Sequence, residues 1–255
     1  GTAVHVITDE IVNLTSRSSL AASDVSFVGV PESAQEQRTS WRWSTVWGTS
    51  ASMVLGALAL RLIVVCLSFH AAADPARDHE QFGAEMAWTA RSIALGHGFS
   101  SPFMPATGPT ALVPPLFPYL LAGVFKLFGL YSKPSAIAIL ALDSLFSALT
   151  CIPLYLSVRK SLGPRAARWA GWGWAVHPFA IYYCAAIVWD YALSSLLFAT
   201  CFLALQHLGE SKPMWKWVGC GLLCGFSVLS NPAILILLRR RCVRASWLAA
   251  RRNEA

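Results

Sequence analysis

Charged residues are scarce in this sequence. They make up 13% of its 255 positions, against roughly 25% in soluble domains. With 55% hydrophobic residues and a mean hydropathy of +0.51, the chain cannot cover a water-facing surface and reads as a membrane protein. Ten-residue strands of alternating polarity are absent, which excludes a β-barrel and leaves a helical, polytopic class. Paired cysteine spacing is missing too. The seven cysteines, Cys66, Cys151, Cys184, Cys201, Cys220, Cys224 and Cys242, lie mostly inside apolar runs, so neither a zinc site nor a disulfide framework is expected, and no metal ligands are assigned. No cleavable signal with a short apolar core precedes the polar N-terminal stretch, so the first span is expected to be a permanent anchor. Nor is there an internal repeat or a matched pair of broken helices, which weighs against a transporter.

What charge there is has a pattern. The net charge is +7, but the basic residues gather in short clusters beside apolar runs, where they act as orientation signals and not as a nucleic-acid footprint. Residues 1–48 form a polar tail, expected to be disordered. The first span covers 49–70 and carries Arg61 near its middle. An arginine there costs about 2.5–3.5 kcal/mol on insertion scales, so it either faces other helices or a polar cavity, or it snorkels from a span whose boundary lies elsewhere. Further spans are expected at 135–158, 166–187 and 189–208, with a fifth beginning near Trp215, about five in all.

The loops "RKSLGPRAAR" and "HLGESKPMWK" carry the Lys and Arg residues, which predicts a cytoplasmic position for both and for the N-terminus. Parity then forbids the apolar run at 112–129 from crossing. Pro114, Pro115, Pro118 and Lys126 agree, leaving about a dozen helical residues before Gly129. Residues 71–134 become one large outer loop. Its first helix, about 79–95, has Phe82, Met86, Ala90 and Ile93 as an apolar stripe that can lie on the membrane.

Within "DHEQFGAEMAWTARSIALGHGFS", residues 78–100, Asp78 and Glu85 stand seven residues apart, on one helical face with a rise of roughly 10 Å between them. They are too distant to share a proton. Either is positioned to act singly as a base whose basicity rises near the membrane, or both are solvated charges on the wet face of an interfacial helix. Asp190, in "IVWDYALSS", faces the same compartment, either as a polar group of a cavity or as a helix cap between the aromatic anchors Trp189 and Tyr191. Asp143 lies inside the second span and should face the protein interior. His177 beside Pro178 reads as a packed bundle residue.

The order of "FGAEMAWTARSIALGHGFSSPF", "GPTALVPPLFPYLLAGVFKLFGLYS" and "SALTCIPLYLSVRKSLGPRAARWAGW" resembles bacterial membrane glycosyltransferases with the GT-C fold. The type is that of the dolichyl-phosphate-mannose–protein mannosyltransferases, glycosyltransferase family 39, and the aminoarabinose transferases. The resemblance covers about 50–238. It implies an all-α GT-C-like N-terminal half with amphipathic helices in the first outer loop. It also implies inverting transfer of a sugar from a polyprenyl-phosphate carrier, the lipid-linked donor, to a hydroxyl of a protein, lipid or glycan. The reaction would take place at the outer face of the membrane, expected to be a bacterial inner membrane.

By the same resemblance Glu85, with Asp78 second, matches the general base. Arg91, His97 and Asp190 are the candidate substrate-binding residues. Membrane lipid and the carrier are the implied partners. Family members often show an Asp-Glu pair at the start of the acidic helix and Lys before the Pro-Pro, where this chain has Phe82-Gly83 and Val113. They also have about a dozen spans. The chain is accordingly expected to be a truncated part of such a protein, with a transmembrane domain at 49–238 and a basic tail at 239–255. The alternative is a non-catalytic remnant or an accessory subunit that pairs with another membrane protein.

Overall fold

A computed structural model of the chain describes residues 32–72, 82–103, 105–208 and 213–236. Among these residues the fold is all-helical, without strands, apart from an isolated bridge between Ser100 and Pro109. The elements are α1 (Glu32–Ala72), α2 (Ala84–Ala94), α3 (Leu116–Phe128), α4 (Lys133–Leu149), α5 (Cys151–Leu162), α6 (Pro164–Ala175), α7 (Pro178–Ala185), α8 (Tyr191–His207) and α9 (Met214–Val228). The chain divides into two compact units, Gly1–Trp47 and Gly48–Ala255. In the first, residues 32–47 are helical, so the tail expected over 1–48 includes a helical stretch. Everything below concerns the second unit.

Two segments are long and apolar enough to cross a membrane, Gly48–Ser68 within α1 and Lys133–Leu162 across α4 and α5. They fall on the first two predicted spans. Helices α3, α8 and α9 are apolar but shorter. At 13 residues, α3 reaches only about 20 Å, short of the roughly 30 Å hydrocarbon core, as its prolines suggested.

The span expected at 166–187 is two helices. Pro178 drives residue 177 out of the helical region, to φ −64° and ψ 119°, and the chain restarts as α7 with the His177 Nδ1 accepting a hydrogen bond from the Ala180 amide at 3.3 Å. His177 is therefore an exposed cap, not a packed bundle residue.

Breaking this helix leaves carbonyls of α6 without partners. Arg61 supplies them. Fully buried, it donates from Nη1 to the Ala175 carbonyl at 2.9 Å and to the Ala57 carbonyl at 3.1 Å, from Nη2 to the Trp174 carbonyl at 3.1 Å, and from Nε to Ser147 Oγ at 3.0 Å. The arginine faces other helices and does not snorkel. Close approach of α1 and α6 comes from two glycines facing large side chains: Gly171 makes room for Met53, and Gly56 for the Trp172 ring. Small residues at contacts are how helices associate where lipid removes the hydrophobic drive.

The main core joins α2 and α3 to the bundle. Phe82, Met86, Ala87 and Ala90 pack with Phe117, Leu121 and Phe125 of α3, with Ile139 and Leu140 of α4, and with Val188 and Leu193. The stripe of Phe82, Met86 and Ala90 thus lies on protein and not on the membrane; α3 takes the surface the stripe needs, and α3 itself turns Tyr119, Leu127 and Phe128 outward. The first amide of α3, Leu116 N–H, donates to the Leu229 carbonyl just past α9, at 3.1 Å.

Candidate active site

Of the two acidic candidates in the segment between α1 and α3, Asp78 lies outside the described residues. Glu85 sits in the first turn of α2, half-buried, and its side chain makes no hydrogen bond or ion pair with a described residue; only its backbone carbonyl is engaged, by Thr89 Oγ1 at 2.8 Å. A carboxylate in a first helical turn is favoured by the helix dipole, as is an arginine in the last, where Arg91 stands. Six residues separate the two, a rise of about 9 Å. They do not face each other.

Arg91 lies over the Trp88 ring, 5.7 Å from its centroid. Its charge also reaches Tyr131, whose phenol burial pushes well above its ordinary range while Arg91 pulls the other way. Phe82, Phe125 and Tyr131 pack against one another in tilted and edge-on contacts, with centroids 5.1 to 5.5 Å apart, and hold this corner of the loop. His97 is exposed in the turn after α2, between Gly96 and Gly98, both at positive φ. Its backbone is fixed by the amide bond to the Ser92 carbonyl and by Ser100 Oγ on its own carbonyl.

Asp190 belongs to the turn between α7 and α8 and is 4% exposed. It stands at the start of α8 without making a capping hydrogen bond. Its Oδ2 accepts from Ser194 Oγ at 2.9 Å, and Ser194 Oγ in turn lies 3.0 Å from Ser230 Oγ, so the acid opens a hydrogen-bonded chain running toward the end of α9. That makes Asp190 a polar group of the interior, held by its neighbours and not by a helix end. Asp143, one element away on α4, is fully buried, and neither carboxylate oxygen has a hydrogen-bond partner. Its inward orientation is as expected.

A close backbone contact also joins the start of α2 to the turn before α8. Gly83, at φ +98°, presses on the carbonyl oxygen of Val188 so closely that a Cβ would lie 2.8 Å from it. Glu85 follows Gly83 by two residues, and Asp190 follows Val188 by two. Ser194 also lines a largely apolar groove of about 400 Å³ with Leu154, Trp174, Tyr191, Phe198 and Ile234. A smaller hollow of about 180 Å³ adjoins it through Trp174 and Tyr191, reaching His177 and Tyr183. The groove is thus an apolar trough with hydroxyls at its edge, and one of them, Ser194, is bonded to the Asp190 carboxylate. No group of three or more His, Cys, Asp or Glu side chains suited to a metal ion occurs among the described residues.

The sequence profile of the dolichyl-phosphate-mannose-protein mannosyltransferase family matches residues 112–250, more than half of the chain. The chain belongs to that family. No curated protein and no solved structure matches it. The mannosyltransferase match runs from the loop before α3 through α9, so it takes in Asp143, Asp190, Ser194 and the groove, and begins after Glu85, Arg91 and His97. Membership of this mannosyltransferase family makes the chain a membrane protein of glycosyltransferase type, in keeping with the apolar helices described above.

Four residues near the site gave no sequence signal strong enough to single them out. Trp88 and Tyr131 look like ordinary interface aromatics until the stacking with Arg91 and Phe82 is seen. Ser194 and Ser230 lie 36 residues apart, and only the fold brings them together.

Proposed function

We propose that the protein transfers a sugar from a polyprenyl-phosphate carrier to a hydroxyl of a protein, lipid or glycan, with inversion, at the outer face of a bacterial inner membrane. The N-terminus lies in the cytoplasm, residues 49–238 form the membrane domain, and 71–134 form the outer catalytic loop. The carrier tail lies in the apolar groove beside Tyr191, Phe198 and Ile234. Glu85, or Asp78, accepts the proton of the acceptor hydroxyl as its oxygen attacks the anomeric carbon from the face opposite the phosphate. The bond from anomeric carbon to phosphate oxygen breaks, the electron pair leaves with the phosphate, and Arg91 stabilises the charge that develops there. His97 and Asp190 contact sugar or acceptor.

The observation that carries this reading is the family match across the groove and Asp190. Supporting it, Glu85 is half-buried with an uncommitted side chain, and the Gly83–Val188 contact ties its helix to the turn that holds Asp190.

The test is transfer of labelled sugar from a panel of polyprenyl-phosphate donors by purified protein, beside Glu85→Gln. Turnover that disappears in a folded Glu85→Gln protein supports Glu85 as the base. Turnover that persists removes Glu85 from that role and passes it to Asp78, to be tested as Asp78→Asn. Absence of turnover with every donor, from a folded preparation, favours a non-catalytic or accessory role.

A further inference from the structure

We propose that the cleft lined by Arg165, Arg168, Trp169 and Trp172 binds the headgroup phosphate of an anionic phospholipid. The cleft has a volume of about 380 Å³ and is bounded by these four side chains. It runs along α6 from Arg165 in the first turn, roughly 15 Å along the axis from the Ala175 carbonyl that Arg61 caps, to Trp172. It is a different place from the groove assigned to the carrier, and the inference does not depend on that assignment.

The four residues share a face by helical spacing. Arg165 and Trp169 are one turn apart, as are Arg168 and Trp172, so two guanidinium groups and two indoles project side by side. Neither arginine has a hydrogen-bond or ion-pair partner among the described residues, and the first turn of α6 carries no acidic side chain. Positive charge is therefore concentrated there and left uncompensated among the described residues. Lys160, the nearby cation on α5, is used elsewhere, on the Gln206 carbonyl. An anion is what the cleft lacks.

The indoles decide which anion. Trp169 is 81% exposed, and Trp172, 42% exposed, is fixed by its ring against Gly56 of α1. A soluble phosphate would leave the exposed indole in water. A lipid places its phosphate on the guanidinium pair and its glycerol and upper acyl carbons along the indoles, which suits tryptophan at the depth of the headgroups. Arginine forks match phosphate oxygens two at a time.

Native mass spectrometry of the full-length protein in detergent, titrated with phosphatidylglycerol or phosphatidylcholine, tests this. The expected result is one phosphatidylglycerol adduct that survives where phosphatidylcholine does not, with affinity reduced tenfold or more in R165Q/R168Q and by less in R165K/R168K, which keeps the charge but not the forks. W169A, at a position too exposed to matter for folding, should weaken the adduct as well. Soluble glycerol phosphate at the same concentration should neither bind nor compete. Equal retention of both lipids, an unchanged adduct in R165Q/R168Q, or binding of glycerol phosphate as tight as that of the lipid would overturn the proposal. Should R165Q/R168Q not fold, the single variants R165Q and R168Q, each expected to lose part of the preference, decide by the same comparison.

Discussion

Gly83 and Val188 meet so that the carbonyl oxygen of Val188 fills the space a side chain at Gly83 would need. Through this contact the first turn of α2 is held against the turn that carries Asp190. A Gly83→Ala variant must both accept a left-handed φ of +98° and push the two turns apart. Strain of this kind costs about 1–3 kcal/mol. The expected outcome is a lower unfolding midpoint in detergent and a fall in sugar transfer larger than the loss of folded protein explains. Equal midpoints for the two proteins would show that the loop and the turn separate freely.

Arg61 carries a second prediction. Arg61→Met leaves the Ala175 carbonyl without its donor at the break between α6 and α7, and leaves the Trp174 carbonyl only the His177 amide. Each buried acceptor left unsatisfied costs about 1–3 kcal/mol. Arg61→Lys keeps the charge but has a single ammonium in place of a fork, so its midpoint should fall between those of Arg61→Met and the parent. Chemical unfolding of the three proteins in one detergent checks the order.

Asp143 behaves differently, because it has nothing to lose. Both carboxylate oxygens are buried without a hydrogen-bond partner, and burying an ionisable group that way is costly. Asp143→Asn keeps the shape and removes the charge. Its unfolding midpoint is expected to equal or exceed the parent's; a drop of several degrees would reveal a partner for the carboxylate.

The serine chain below Asp190 should show coupling. Ser194→Ala removes the bonds to Asp190 and Ser230, and Ser230→Ala removes one of the same bonds. A neutral hydrogen bond contributes about 0.5–1.5 kcal/mol and one to a charged group about 1.5–3. A double-mutant cycle should therefore return a nonzero interaction energy, within the 0.5–3 kcal/mol seen for residues in contact. Strict additivity would mean that the two hydroxyls act independently.

Trp88→Leu tests the stacked arginine. The Arg91–Trp88 contact is partly exposed, where such pairs contribute about 0.5–1 kcal/mol. Stability should change little. If Arg91 neutralises the donor phosphate, its freed side chain should raise KM for the polyprenyl-phosphate donor severalfold while kcat changes less.

How much of this was legible in the residues depends on whether the signal was local. Pro114, Pro115 and Gly129 mark a short helix, and α3 is that helix. Arg61 in an apolar run demands buried partners, and it has four hydrogen bonds. The identity of those partners was not legible, because three of the acceptors lie 86 to 114 residues away. The stripe of Phe82, Met86 and Ala90 was visible, but periodicity reports only that a face is apolar; whether lipid or protein covers it depends on α3 folding back. Pro178 announced a break that an average over 166–187 hides, since hydropathy is indifferent to a missing amide. For the candidate site, Asp190 stood out as an acid among aromatics, yet Ser194 and Ser230 had no mark until α8 and α9 brought them within 3.0 Å.

The bond from the Leu116 amide to the Leu229 carbonyl joins the leading end of α3 to the trailing end of α9. Each group is one its own helix leaves over, and the two dipoles run head to tail across the joint. The stretch from 116 to 229 is in effect a buckled belt. A swing of α3 away from α9 would have to release this buckle as well as the packing of Phe117, Leu121 and Phe125, so a ligand that lifts α3 would also be felt at the far end of α9.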